Sequence, residues 1–150
     1  MRGSRAARLA SLAAILASAA AIAYLVFFLF GPTYAGCSTG IVSPTATPGP
    51  ITCRSIGWLE MEFGSPHPGP VDLRPIAFLT AWTAAPVAAV VGTRLRSRGV
   101  GITLVALAFL VDASSIVSMG GGFMFALLCA PLLLVSFAAL MVAFTQERMG

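Results

Sequence analysis

Few residues in this 150-residue chain could do chemistry: five carboxylates, one histidine and three cysteines. Most of them crowd into one polar, Pro- and Gly-rich stretch from Thr33 to Arg74, which holds Cys37, Cys53, Glu60, Glu62, His67 and Asp72. Cys129 lies in an apolar run, and Glu147 in the C-terminal tail. Asp112 is the only charged residue within an apolar run. An aspartate at the centre of a membrane helix costs on the order of 2.5–3.5 kcal/mol on insertion scales, so such residues face the bundle interior and mark a function by default.

The spacing of the cysteines decides what they can do. Redox and metal sites use Cys-x-x-Cys-like pairs, whereas Cys37 and Cys53 are sixteen positions apart. In an oxidising compartment a structural disulfide is the expected state. Closing a loop of this length contributes about 3 kcal/mol by the chain-entropy estimate, in a segment whose Pro44–Pro50 portion has no apolar pattern to fold around. The alternatives are a reactive thiol pair, or a metal pair completed by His67 or Glu60. His67, set between prolines, reads as a solvated loop residue. No catalytic residue, metal or cofactor is expected. Between Ser55 and Gly64, apolar and polar residues interleave as a short interfacial helix or a small strand. Trp58 suits the headgroup belt, and Trp58, Glu60, Glu62 and Phe63 form a candidate contact surface for a partner.

The elements that must position these residues follow from composition. Apolar residues make up 58% of the chain and charged residues 9%, against roughly 25% charged in soluble proteins. The expected fold is an all-α integral membrane protein, a single domain over 1–150, with four transmembrane helices at about 9–30, 75–93, 100–119 and 123–144 around a disulfide-closed loop, 33–74. A run of roughly 20 apolar residues suffices to cross the hydrocarbon core. Ala10, Ala14, Ala17 and Ala21 share a face of the first helix. Ala77, Ala81, Ala85 and Ala89, with Ala84, Ala88 and Gly92, suggest a broad small-residue stripe on the second, of the kind that lets helices pack closely. Pro86 predicts a kink, because it leaves the Trp82 carbonyl without its helical donor. Arg94–Gly99 reads as a tight basic loop, Gly120–Gly122 as a turn, and Thr145–Gly150 as a polar tail.

Counting depth along the third helix places Asp112 about 10 Å below the outer end at Met119. Tyr24, Thr80, Thr83 and Cys129 fall at similar depth, and Ser115 follows one turn later. Together they define a possible intramembrane polar layer centred on Asp112. The alternative is a helix that ends near Ser114 or Ser115, leaving Asp112 in the headgroup region to cap locally or pair with Arg74.

Orientation follows from the nine arginines; the chain has no lysine. With both termini on one side, that side carries Arg2, Arg5, Arg8, Arg94, Arg96, Arg98 and Arg148, and the other only Arg54 and Arg74. The positive-inside rule puts the larger set in the cytoplasm and the 33–74 loop outside. The absence of Lys and Asn, with abundant Ala, Gly, Pro and Arg, points by codon usage to a GC-rich bacterial genome, hence to a bacterial inner membrane. A rival reading of residues 1–36 is a cleaved signal with Tyr34–Cys37 as a partial lipoprotein box, but the apolar run exceeds the 7–15 residues of a signal core.

Two exported cysteines, Leu59-Glu60 after the second of them, Pro86 in the second span and the glycines 120–122 before the fourth give a layout that resembles small, uncharacterised bacterial four-helix membrane proteins. That resemblance implies topology and no activity. Four-span thiol oxidoreductases of the disulfide-forming, quinone-linked kind also have a basic interior and exported cysteines, but they need a Cys-x-x-Cys pair that this chain lacks. The expected function is a non-enzymatic accessory or interaction subunit, contacting lipid and other membrane subunits or its own copies, and no nucleic acid. A small oligomeric transporter or channel component using Asp112 is the alternative, and a membrane thiol–disulfide oxidoreductase is disfavoured.

Overall fold

A computed structural model describes residues 5–39, 51–64, 70–118 and 121–149. Its elements, in order, are α1 (Arg5–Phe30), β1 (Tyr34–Thr39), β2 (Ile51–Ile56), α2 (Trp58–Phe63), α3 (Arg74–Arg94), α4 (Arg98–Ser114), a 3-10 turn (Ser115–Val117) and α5 (Gly121–Met149). Four helical segments, Arg5–Phe30, Arg74–Arg94, Arg98–Val117 and Gly122–Glu147, are long and apolar enough to cross a membrane. The chain divides into two compact units, one of Met1–Tyr24 with Arg74–Gly150 and one of Leu25–Leu73.

In the first unit the helices are built inside out relative to a soluble bundle. The buried side of α1 is Ala10, Ala13, Ala14, Ala17, Ser18 and Ala21, while Leu12, Leu16, Ile22 and Val26 of the whole helix point outward and are about half exposed. Ala14, Ala17, Ala85, Ala89, Val105, Ala108 and Leu133 form one core cluster drawn from all four long helices. Small residues inside and large apolar ones outside suit a medium in which helices associate by close van der Waals contact, because lipid tails supply no hydrophobic drive between them.

Two details fix how the helices run. Ser136 Oγ donates to the Ala10 carbonyl at 2.9 Å, and Cys129 Sγ to the Ala17 carbonyl at 3.7 Å. Moving seven residues up α5 therefore moves seven down α1, so the two are antiparallel. At the arginine-bearing end, Arg98 pairs with Glu147, and a cavity of about 100 Å³ is lined by Ala7, Gly92, Thr93, Gly101 and Phe144 among others. The start of α1, the α3–α4 connection and the end of α5 thus share one end of the unit. Between α3 and α4 the backbones meet at glycines: a Cβ added to Gly101 would lie 2.4 Å from the Gly92 carbonyl oxygen, and one added to Gly92 2.9 Å from that of Gly101.

Several boundaries differ from the sequence expectation. The basic loop shrinks to Leu95–Ser97, because Arg94 closes α3 while Arg98 and Gly99 open α4. Gly121 and Gly122 lie in α5 rather than in a turn, and Gly122 is needed there for closeness: a Cβ would meet the Ser115 carbonyl at 2.6 Å. Met119 and Gly120 fall outside the described residues. The tail through Met149 stays helical, since Gln, Glu, Arg and Met are good helix formers and leaving an apolar layer does not oblige a helix to stop. Pro86, where a kink is expected, lies buried inside α3. The α3 stripe is corrected as well: Ala85, Ala89 and Gly92 are buried, but Ala77, Ala81 and Ala84 are exposed.

The second unit, expected to be a disulfide-closed loop of an all-α protein, contains an antiparallel β1–β2 hairpin, with Cys37 directly opposite Cys53 in the register. The two sulfurs are bonded, as the sequence spacing led us to expect. An isolated two-stranded hairpin is marginal in water, so a cross-link between facing residues is what holds this one in register. Ile51, Thr52 and Ile56 supply the β-branched content of β2. The segment from Ser55 to Gly64 divides: its first two residues finish β2, and Trp58–Phe63 forms α2. Residues 40–50 and 65–69, including Pro44–Pro50 and His67, lie outside the described residues.

Candidate functional site

The buried polar residues of the helical unit follow from the way α4 turns. Gly101, Val105, Ala108 and Asp112 are its buried positions, and Ser115 continues the row with no exposed surface. Steps of four and three keep that row on one face of a helix. The first members let α3 approach, and Asp112 is carried on the same face toward α5 instead of toward the outside.

Asp112 is fully buried, and neither carboxyl oxygen has a hydrogen-bond partner among the described residues. The surrounding donors are directed elsewhere. Ser115 Oγ lies 2.6 Å from the backbone carbonyl of Asp112 and 3.0 Å from that of Gly122. Thr83 Oγ1 returns to the Leu79 carbonyl at 2.7 Å, and Cys129 Sγ faces the Ala17 carbonyl. The α-helix of α4 does end at Ser114, as one sequence alternative had it, and the 3-10 turn follows. The local capping or pairing that went with that alternative is not seen among the described residues, where the carboxyl oxygens have no hydrogen-bond partner.

The residues named from depth counting separate into two groups. Thr83, Asp112, Ser115 and Cys129 are buried. Tyr24 is half-buried, with its ring edge-on to Phe125 at 5.7 Å. Thr80 is exposed and donates back to the Ile76 carbonyl at 2.7 Å. Depth alone could not tell these apart, because it ignores the angle around the helix. Ser136 was missed: it is fully buried and donates across to α1. A signal was available, since it lies seven residues after Cys129, on the same face.

In the loop unit the proposed contact residues also divide. Phe63 is 65% exposed, whereas Trp58 is only 1% exposed and stands edge-on to Phe63. Trp58 is therefore an internal anchor of the unit and not part of its surface, because the turn at Gly57 brings the chain against the Leu29 carbonyl and the Phe30 backbone. Glu60 is exposed and paired with Arg54. Glu62 is half-buried and acts electrostatically on Tyr34. The Tyr34 phenol is pushed above its ordinary value, first by burial and second by the Glu62 charge. Among the described residues there is no group of three metal-ligating side chains.

In comparison with known proteins, no family model matches the chain, and no curated protein or solved structure does either.

Proposed function

We propose that this protein is a non-enzymatic accessory subunit of a bacterial cytoplasmic membrane, with its termini in the cytoplasm and the 33–74 segment outside. The clustering of the α1 start, the α3–α4 turn and the α5 end at one end of the helical unit supports that orientation, because those are the segments that carry most of the arginines. The observation that carries the function is the loop unit itself. It has its own compact set of contacts and a disulfide staple, yet it leaves Phe63 and Ile51 about two-thirds exposed. A stapled unit with outward apolar side chains is suited to docking against the external portion of another membrane protein, with Glu60 and Glu62 beside the contact.

A photo-crosslinking residue placed at Phe63 in native membranes tests this. The expected product is an adduct with one different polypeptide, lost when Ile51→Ser weakens docking. An adduct only with lipid, or only with a second copy of the chain, would sink the accessory reading.

A second reading, a small oligomeric transporter or channel component, is favoured by the buried, unpaired Asp112. Single four-helix units offer little room for a path, so it requires several copies. Uptake by proteoliposomes that is lost in Asp112→Asn and kept in Ile51→Ser would favour this reading over the first.

A further inference from the structure

We propose that Asp112 is a proton-binding site inside the helical unit, occupied in the resting structure by one exchangeable proton, so that the side chain is the neutral acid. The inference goes beyond the accessory reading and does not depend on it.

The argument starts from what surrounds the carboxyl. Both oxygens are buried and have no hydrogen-bond partner among the described residues, so an ionised carboxylate here would lack donors to hold its charge. The cost of an isolated buried ion is so high that such a group takes up a proton instead. Among the described residues no cationic side chain hydrogen-bonds to Asp112. The arginine of α4 itself, Arg98, is fourteen residues away, about 21 Å along the helix, and is engaged with Glu147. The arginines of α3, Arg74 and Arg94, are its first and last residues. In α1 the arginines Arg5 and Arg8 lie at the far end, and Tyr24 is its other titratable group. In α5 the buried titratable group is Cys129, whose thiol is directed to the Ala17 carbonyl. Glu147 and Arg148 belong to the last turn of α5.

A metal cation fits poorly in the same place. Hard cations require about six oxygen ligands. The one hydroxyl adjoining Asp112 on its own face, Ser115, is turned to two backbone carbonyls, and the other carboxylate of the long helices, Glu147, lies at the far end of α5 and is paired with Arg98. A proton needs only one carboxyl oxygen.

The test uses the full chain, purified and returned to lipid. The readout is the infrared carbonyl band of a protonated carboxylic acid, assigned to Asp112 by its loss in Asp112→Asn. The expected result is one such band, shifted in heavy water, absent in Asp112→Asn and unchanged by sodium or magnesium chloride. Asp112→Asn should melt no lower than the wild type, because an amide reproduces the neutral acid. A hydrophobic carbodiimide gives a second readout. The acid O–H adds across one C=N bond, and the acyl group then migrates from oxygen to nitrogen, leaving an N-acylurea with no leaving group. One adduct should form on the Asp112 peptide, and its rate should fall as pH rises. Absence of the infrared band in folded wild-type protein would overturn the proposal. So would a band that appears only when sodium is removed, since the site would then hold a cation.

Discussion

The contact between α3 and α4 makes the sharpest prediction, because three glycines near it differ only in what surrounds them. Adding a methyl group to Gly101 places carbon 2.4 Å from the Gly92 carbonyl oxygen, and ordinary contact begins near 3.4 Å. The obstacle is backbone, so no side chain can swing away, and the two helices must separate by about 1 Å. Overpacking of this kind costs about 1–3 kcal/mol. Alanine also favours the helix by up to about 1 kcal/mol over glycine, which leaves a net loss of up to about 2 kcal/mol for Gly101→Ala. Gly92→Ala meets the Gly101 carbonyl at 2.9 Å and the Leu104 side chain at 3.1 Å, so its loss should be smaller. Gly99→Ala meets nothing within 4 Å and should be neutral or slightly stabilising. Reversible unfolding in mixed micelles with increasing SDS, followed by Trp82 fluorescence, ranks the three. Equal midpoints for Gly101→Ala and Gly99→Ala would refute the close backbone crossing on which the packing argument rests.

Other outcomes follow from single contacts. Ser136→Ala should lose about 0.6 kcal/mol, the usual worth of an interhelical hydrogen bond in a membrane, because its hydroxyl reaches Ala10 on another helix. Ser18→Ala should lose little, since that hydroxyl only returns to Ala14 one turn back, and the difference reads out in the same SDS titration. Reducing the Cys37–Cys53 bond removes about 3 kcal/mol of chain-entropy stabilisation from the loop unit, so proteolysis of that unit should accelerate while the SDS midpoint of the helices stays put. The raised Tyr34 pKa means the folded loop holds the phenol proton more tightly than the unfolded chain. Its stabilising contribution is whole below the unfolded value of about 10 and fades as pH climbs through the higher folded value. Ultraviolet titration of the phenolate should show Tyr34 ionising late, and Glu62→Gln should bring it only part of the way back, because burial is the larger cause.

How far the fold was legible depended on period. On α1 the small residues Ala10, Ala14, Ala17 and Ala21 step by four, three and four, close to the helical repeat, and all are fully buried. On α3 the alanines at 77, 81, 85 and 89 step by four each time. Each step overshoots the repeat by about 40°, so the row winds from the outside at Ala77 to the core at Ala89. Composition suggested a stripe there, and geometry made it a spiral. The disulfide was legible from compartment and spacing. The hairpin it staples was not, because its second strand is exposed at five of six positions and so carries no alternation between core and solvent for the sequence to record. Trp58 was misjudged for a related reason: an aromatic beside a membrane suits the headgroup belt equally well from inside a folded unit or from its surface, and only the turn at Gly57 decides which.

Asp112 sits where both kinds of legibility meet. Its cost in an apolar helix was readable from its type alone, and its depth from a count. What neither gave is its angle, yet the row Gly101, Val105, Ala108, Asp112, Ser115 carries the alternating three–four step that held the α1 alanines to one face. The same rule that buries Ala108 against α3 and α5 therefore buries Asp112, whatever the side chain. A packing face that accepts glycine, valine and alanine would accept leucine or methionine at Asp112 more cheaply than a carboxyl with no donors. A carboxyl held there by the same repeat thus has a thermodynamic cost that packing does not require. If Asp112→Leu proves more stable in SDS than the wild type by a kcal/mol or more, as replacement of an unsatisfied buried polar group predicts, the aspartate is present for what it binds. If Asp112→Leu is less stable than both the wild type and Asp112→Asn, the carboxyl has a structural partner and the proton site loses its rationale.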